Sequence, residues 1–369
     1  MPFSFRGSLA IPVLAGMALL LAACAGSRQE PDQTRDQTSK SSVPSDSNIN
    51  FQLIYIVHGD ADYNWHDSTG QQHRADAEAV AQALDVARNS PHSEVFIFHQ
   101  SPRHVKWFGK NLEGMFYQYR HGILLHQEPY SRMDDSDFEE EARLFHQHVL
   151  SPANRAPTRF FIYFGHEIPV QNGENYSHSY PDKNFSQADF VRGLDRLEPP
   201  QSTADATKSF ALAVLSTCYG GTPGMLTAIA PYAQYVVASP AYLHLSFLDT
   251  RAFKELDGDS TPLDAEKVHA LADSMAEQSF VSLRKNTQTE ITVGVYDMDR
   301  SSAFLHSFAA KAWKTASHGY HDCAEDYGFD SASARAGVDL FYQTPRFGVL
   351  KNKQNHSGWE CPGQETAQR

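Results

Sequence analysis

Positive charge is in short supply in this chain of 369 residues. Its 31 lysines and arginines stand against 44 aspartates and glutamates, for a formal net charge of −13. Nucleic-acid binding wants a basic face, so no nucleic-acid partner is expected. Long hydrophobic runs are also missing. The one extended apolar segment, Leu9 to Leu21, is short for a membrane-spanning helix of roughly 20 residues. No internal repeat is found, and no second polar linker follows the first, which favours one elaborated domain over two small ones. Cysteine is scarce as well: Cys24, Cys218, Cys323 and Cys361 are the only four.

The apolar segment has a specific setting. Arg6 precedes it and Leu21-Ala-Ala-Cys24 follows, the order of a secretory signal peptide. That ending is similar to the bacterial lipobox, which implies removal of residues 1–23 and lipidation of Cys24. Ala25, where an aspartate would signal inner-membrane retention, then implies the outer membrane. The plainer alternative is an ordinary signal peptide with a chance cysteine. Residues 24–50 are rich in Ser, Gln, Asp, Arg and Pro and read as a solvated tether. Residues 51–369 are left as a single domain with a C-terminal extension. In an oxidising compartment Cys323 and Cys361 are available to pair, pinning the aromatic, basic tail segment Phe341 to Trp359. Cys218 is then the odd thiol, either a reactive group or a small buried hydrophobe.

Within the domain, Phe51 to Val57 has no polar face and reads as an interior strand. A helical pattern follows over Ala75 to Ala87, then a strand at Glu94 to His99, giving a βαβ unit. Gly114 to Leu125 alternates around a His-Gly turn and reads as a hairpin insertion. Further strands are expected at Arg159–Phe164, Ala211–Thr217, Gln234–Ser239 and Glu290–Tyr296, with helices at 137–150, 186–197, 225–232, 262–284 and 302–316. Ser186 is the expected cap of the third helix. The reading is three-layer α/β: a mainly parallel, six-stranded sheet with helices on both faces.

Two of these strands end in groups suited to nucleophilic catalysis. The third delivers Gly165-His166-Glu167, and the fourth delivers Ser216-Thr-Cys218-Tyr-Gly-Gly221. In open α/β sheets the carboxyl edge is where ligands bind. A cysteine thiol is only a few per cent thiolate at neutral pH and benefits from a nearby base. His166 would take that proton and later protonate the leaving amine. Backbone N–H groups of Cys218 and Glu167 could hold the oxyanion, with Gly165, Ser216, Tyr219 and Gly220 around the pocket.

A strand ending Ile162-Tyr-Phe-Gly-His166, a next strand ending Leu215-Ser-Thr-Cys218, and the segment Ala230 to Ser239 together resemble the caspase-like cysteine peptidases, more closely the clostripain-like branch. The resemblance spans roughly Phe51 to Asp299. It implies the caspase/hemoglobinase-type sheet, hydrolysis of amide bonds in a peptide or protein substrate by Cys218 and His166, autocleavage, and no cofactor. Two positions depart from the family pattern. Glu167 replaces a glycine after the histidine. Ser216 replaces the acidic residue that helps to hold a basic substrate side chain.

Two other readings stand beside this one. His58, Asp60, Asp62 and His66, with Asp67 near them, form the densest run of metal-ligand types in the chain. With His166, His178 and Asp182 they would make a metallohydrolase site, and a structural or regulatory divalent metal is the milder version; the plainer and favoured reading is a polar turn lining the active-site rim. Alternatively, Glu167 and Ser216 mark a lapsed enzyme, a caspase-like shell serving as a binding or envelope lipoprotein.

Overall fold

A computed structural model describes residues 49–362 apart from 67–68, 103–113, 132–136, 150–156, 171–175, 180–183, 199–207, 244–245, 259–262, 311–319, 331–332, 334, 349–350 and 352–354. Cys24, Asp67, Asp182 and the signal and tether segments thus lie outside the described residues. Pro44–Arg369 clusters as one compact unit.

Strand β1 (Phe51–His58) is buried at every position, as a strand with no polar face must be. A small ladder of β2 (Asn64–His66) and β3 (Gln72–Arg74) leads into α1 (Ala75–Arg88), and β4 (Ser93–Gln100) returns parallel to β1. The hairpin β5 (Gly114–Arg120) and β6 (Ile123–Tyr130) turns at His121-Gly122. Both turn residues have positive φ, 52° and 76°, as a type I′ hairpin turn requires. Next come α2 (Glu139–His148), β7 (Thr158–Phe164), α3 (Gln187–Leu197), β8 (Phe210–Ser216), α4 (Pro223–Ile229) and β9 (Ala233–Ala238). Ser186 caps α3 in a reciprocal capping box with Asp189. The chain closes through α5 (Ala265–Asn286), β10 (Ile291–Asp297), α6 (Ser302–Ala310), β11 (Tyr320–Asp322), β12 (Val338–Gln343) and β13 (Glu360–Pro362).

The main sheet has nine strands, in the order β12-β10-β9-β8-β7-β1-β4-β5-β6. The expectation of six strands is therefore too small. The six expected strands are all present, and the five from β9 to β4 form a parallel centre. β10 runs antiparallel to β9. The hairpin is not an excursion, because β5 pairs with β4 and lengthens one side. On the other side, β12 from the C-terminal extension pairs with β10.

Period-two side-chain alternation sends each central strand's residues to two cores. Ile54, Ile56, Phe161, Tyr163 and Leu215 meet α2, α3, α4 and α6 on one face. Leu53, Tyr55, Ile162, Val214 and Val237 meet α1 and α5 on the other. The three layers follow from that division. A Cys323–Cys361 disulfide joins the small β11–β13 ladder, and neighbouring Trp359 is fully buried against Phe304 with ring centroids 4.1 Å apart. Cys218 is the free cysteine among the described residues. No described helix is long and apolar enough to cross a membrane.

Candidate active site

The site grows out of strand register. β7 and β8 are parallel neighbours, with Phe164 opposite Ser216. Carrying that register two residues past the strand ends sets His166 opposite Cys218. The two chains stay tied past the strand ends: Gly165 N–H donates to Ser216 O at 3.3 Å, and the Thr217 side-chain hydroxyl donates to His166 O. β1 lies on the far side of β7, with Val57 opposite Phe164, so its continuation His58-Gly59-Asp60 reaches the same edge.

Asp60 is where that edge becomes a site. Its side chain is 1% exposed, and Oδ2 lies 3.1 Å from His166 Nε2, an ion-pair distance off the axis of an aligned hydrogen bond. Oδ2 also accepts from Ser177 Oγ and from His178 N–H, both at 2.7 Å. Oδ1 accepts from Ser179 Oγ at 3.1 Å and from Asp62 N–H at 3.3 Å. Burial alone would push the carboxyl pKa up. Contact with His166, the Ser177 hydroxyl, the imidazole charge and the Asp62 N–H outweigh it, and the net shift is well below the usual carboxylate range. A buried, firmly ionised carboxylate on one ring nitrogen leaves Nδ1 of His166 for proton transfer.

Tyr63 stacks on the other dimension of this imidazole, with ring centroids 4.6 Å apart and 21° between planes. The tyrosine is 5% exposed. Burial raises its hydroxyl pKa far above the ordinary value, and Tyr176, Cys218, Asp60 and Asp76 add to the rise. Cys218 is thus within electrostatic range of the residue that stacks on His166. The Cys218 sulfur accepts from the Leu243 backbone N–H at 3.3 Å.

Beyond these residues the turns are held by backbone and aromatic packing. Tyr219 adopts φ 56°, a left-handed conformation unusual for an aromatic residue. Its N–H donates to Ala241 O at 3.0 Å, and Gly221 N–H donates to Ser239 O at 2.8 Å. Gly221 has to be glycine, since a Cβ there would sit 2.7 Å from the Tyr296 hydroxyl and 2.9 Å from Pro240 N. At Gly165 a Cβ would collide with the hydroxyls of Tyr163 and Tyr176. Gly220 is buried in the same turn, and Glu167 is half-buried beside His166.

Ser216, expected at the substrate pocket, is 3% exposed, and its Oγ accepts from Leu248 N–H at 2.9 Å. It fastens the segment after β9 to β8. The residues expected as metal ligands are divided among other duties. His58 is buried among Phe138, Tyr163, Tyr176 and Phe185, with Nδ1 3.1 Å from the Tyr163 hydroxyl. Asp60 serves His166, Asp62 pairs with His178, and His66 is exposed on β2. Among the described residues, the group close enough to share an ion is His269, Asp273 and Asp339, on α5 and β12.

Asp60 and Tyr63 are the members whose roles sequence reading missed. The available signal was topological: the first strand of a doubly wound sheet commonly neighbours the third, so its terminal residues share that strand's edge.

Among solved structures, an inactive zymogen C11 protease from Parabacteroides distasonis aligns with a TM-score of 0.53 at 12% identity, covering 85% of this chain and 92% of that one. A secreted C11 cysteine protease from Bacteroides thetaiotaomicron, in complex with an irreversible peptide inhibitor, aligns with a TM-score of 0.52 at 11% identity, covering 86% and 90%. No family model and no curated relative matches. The chain therefore has the fold of the clostripain-like cysteine proteases, with a sequence far diverged from theirs.

Proposed function

We propose that this chain is a cysteine endopeptidase, with Cys218 as nucleophile, His166 as general base and acid, and Asp60 as the residue that positions His166. The observation that supports the reading is the β7–β8 pairing, with Phe164 opposite Ser216 and with His166 and Cys218 each two residues further on, while a buried carboxylate stands 3.1 Å behind the His166 ring.

In the acylation step the Cys218 sulfur attacks the scissile carbonyl carbon, and its proton passes to His166 Nδ1. Backbone N–H groups of Cys218 and Glu167 receive the oxyanion. Collapse breaks the C–N bond, and His166 returns the proton to the leaving amine. Water, deprotonated by the same nitrogen, then hydrolyses the thioester. The Asp60 carboxylate holds Nε2 and stabilises the imidazolium throughout, and the chemistry uses no cofactor. Ser216 carries no charge, and its hydroxyl is committed to Leu248. Peptides with Arg or Lys before the cleaved bond are accordingly not the favoured class. The enzyme works outside the cytoplasm, tethered through lipid on Cys24 to the outer membrane.

The test is alkylation of Cys218 by iodoacetamide across pH, followed by peptide mass spectrometry in the wild type and in His166→Ala. An activated thiol labels at pH values where an ordinary thiol is protonated, and His166→Ala abolishes that excess. Labelling that follows an ordinary thiol, unchanged in His166→Ala, refutes the catalytic reading. It would leave a binding lipoprotein of the same fold. Autocleavage, if it occurs, gives two bands from the wild type and one from Cys218→Ala.

A further inference from the structure

The hairpin β5–β6 carries an apolar patch that neither core uses. Ile123, Leu124 and Leu125 are 47%, 41% and 38% exposed, three consecutive large hydrophobes at the turn end of the outermost strand. A register shift at Gln118/Tyr119 leaves Leu125 unpaired in the ladder and breaks the alternation that would have turned one leucine inward.

The hairpin's place in the sheet gives the patch a meaning. Ser93 pairs with Phe51, and Ser93 O accepts from His121 N–H. The hairpin turn therefore sits at the edge where the chain enters β1, three strand spacings or about 14 Å from Phe51. The candidate active site lies at the opposite edge, roughly 25 Å away along the strands. Arg88, exposed at the end of α1, has its backbone carbonyl against Gly122, so a basic residue stands at the hairpin turn.

We propose that Ile123, Leu124 and Leu125, with Arg88 beside them, insert into the surface of an anionic bilayer as a second contact next to the lipid anchor. The inference rests on the lipid-anchor reading above. A tether from Cys24 to Asn50 has a root-mean-square reach of about 30 Å, so the entry edge stays within range of the membrane. Apolar residues flanked by a basic group are the composition of interfacial insertion. A second copy of the chain is the poorer occupant, because the bulge and Pro129 both interrupt the β6 edge that a strand-to-strand dimer would need. The consequence is an oriented enzyme, with its active edge turned away from the membrane.

The test uses the full mature lipoprotein in the Cys218→Ala background, reconstituted in vesicles of phosphatidylethanolamine and phosphatidylglycerol doped with nitroxide-labelled acyl chains. A single new thiol carries an environment-sensitive fluorophore, at Leu124→Cys or, as control, at Val170→Cys near the active edge. The expected result is a blue-shifted label at 124, quenched at least three-fold more than the label at 170. Equal quenching at the two positions, in protein that floats with the vesicles, overturns the hairpin contact alone. Protein that fails to float, with unmodified Cys24 by mass spectrometry, overturns the anchor and this inference with it. Leu124→Asp/Leu125→Asp should release the quenching in a labelled Ile123→Cys chain, and the same pair of substitutions in a chain that keeps Cys218 should leave peptidase activity on soluble peptides unchanged. A dimer in detergent that dissociates in that double variant would assign the patch to a second copy instead.

Discussion

Replacing Asp60 by asparagine isolates the carboxylate's charge from its shape. In the wild type, Oδ2 faces His166, the Ser177 hydroxyl and the His178 N–H, while Oδ1 faces Ser179 and the Asp62 N–H. An asparagine can present an oxygen to only one of these groups of donors. Its amide nitrogen must oppose the other, whichever way the side chain is turned. Removing one partner from a buried charged network typically costs about 3–5 kcal/mol, and with the side chain 1% exposed no discount for solvent screening applies. Catalysis should fall more selectively: kcat by on the order of 100-fold with KM little changed, since an unpaired imidazole loses both orientation and imidazolium stabilisation. The pH dependence has a definite sign. Asp60 has a depressed folded pKa, so its contribution is complete above the unfolded carboxylate value of about 3.9 and is lost as pH falls through the lower folded value. Urea unfolding of wild type and Asp60→Asn should differ by a constant amount from pH 8 down to about 4, and the gap should narrow below that. A variant within about 1 kcal/mol of wild type in stability, and within three-fold in both kcat and Cys218 alkylation rate, would refute the role assigned to this carboxylate.

Other perturbations test separate parts of the site. Tyr63→Phe keeps the ring on His166 and should retain activity, whereas Tyr63→Leu should lower kcat about five-fold, the effect of losing a stacked pair worth about 1 kcal/mol; similar kinetics for the two variants would count against the stack. Gly221→Ala should destabilise the domain by about 1–3 kcal/mol in thermal unfolding, because its Cβ meets the Tyr296 hydroxyl and Pro240 backbone. Replacing Cys323 and Cys361 with serine opens a bridge that spans 38 residues, for which chain entropy gives about 4 kcal/mol, read as a lowered urea midpoint without altered Cys218 alkylation.

The central strands were legible in the sequence because their signal is local. Runs such as Phe51–Val57 and Arg159–Phe164 have no polar face and can only be interior strands. Ser186 advertised its helix start because capping is a matter of three neighbouring residues. The outer strands were harder. Val338–Gln343 overlaps the start of the Phe341 to Trp359 segment, which was expected as a tail, and nothing within it announces a partner in β10. Asp60 could be read only as part of a polar turn or a metal-ligand run for the same reason. Its local company is rich in His and Asp, while its side-chain partners are more than 100 residues away, just after β7 and in the Ser177–Ser179 turn. Ser216 was expected to face substrate, and its bond to Leu248 depends on how the segment after β9 folds back.

The side-by-side alignment of β7 and β8 also bears on when in its lifetime this protein can do chemistry. In the proposed mechanism the histidine and the thiol come to one sheet edge only through a ladder whose rungs are backbone hydrogen bonds, and a slip of one residue would send every side chain of β8 to the other face of the sheet. Neither a nascent chain nor one threaded unfolded across a membrane has that ladder. Such a chain holds an ordinary cysteine and an unrelated histidine. Under the proposed mechanism folding itself is the switch that arms the thiol, and a misfolded copy is inert instead of indiscriminate.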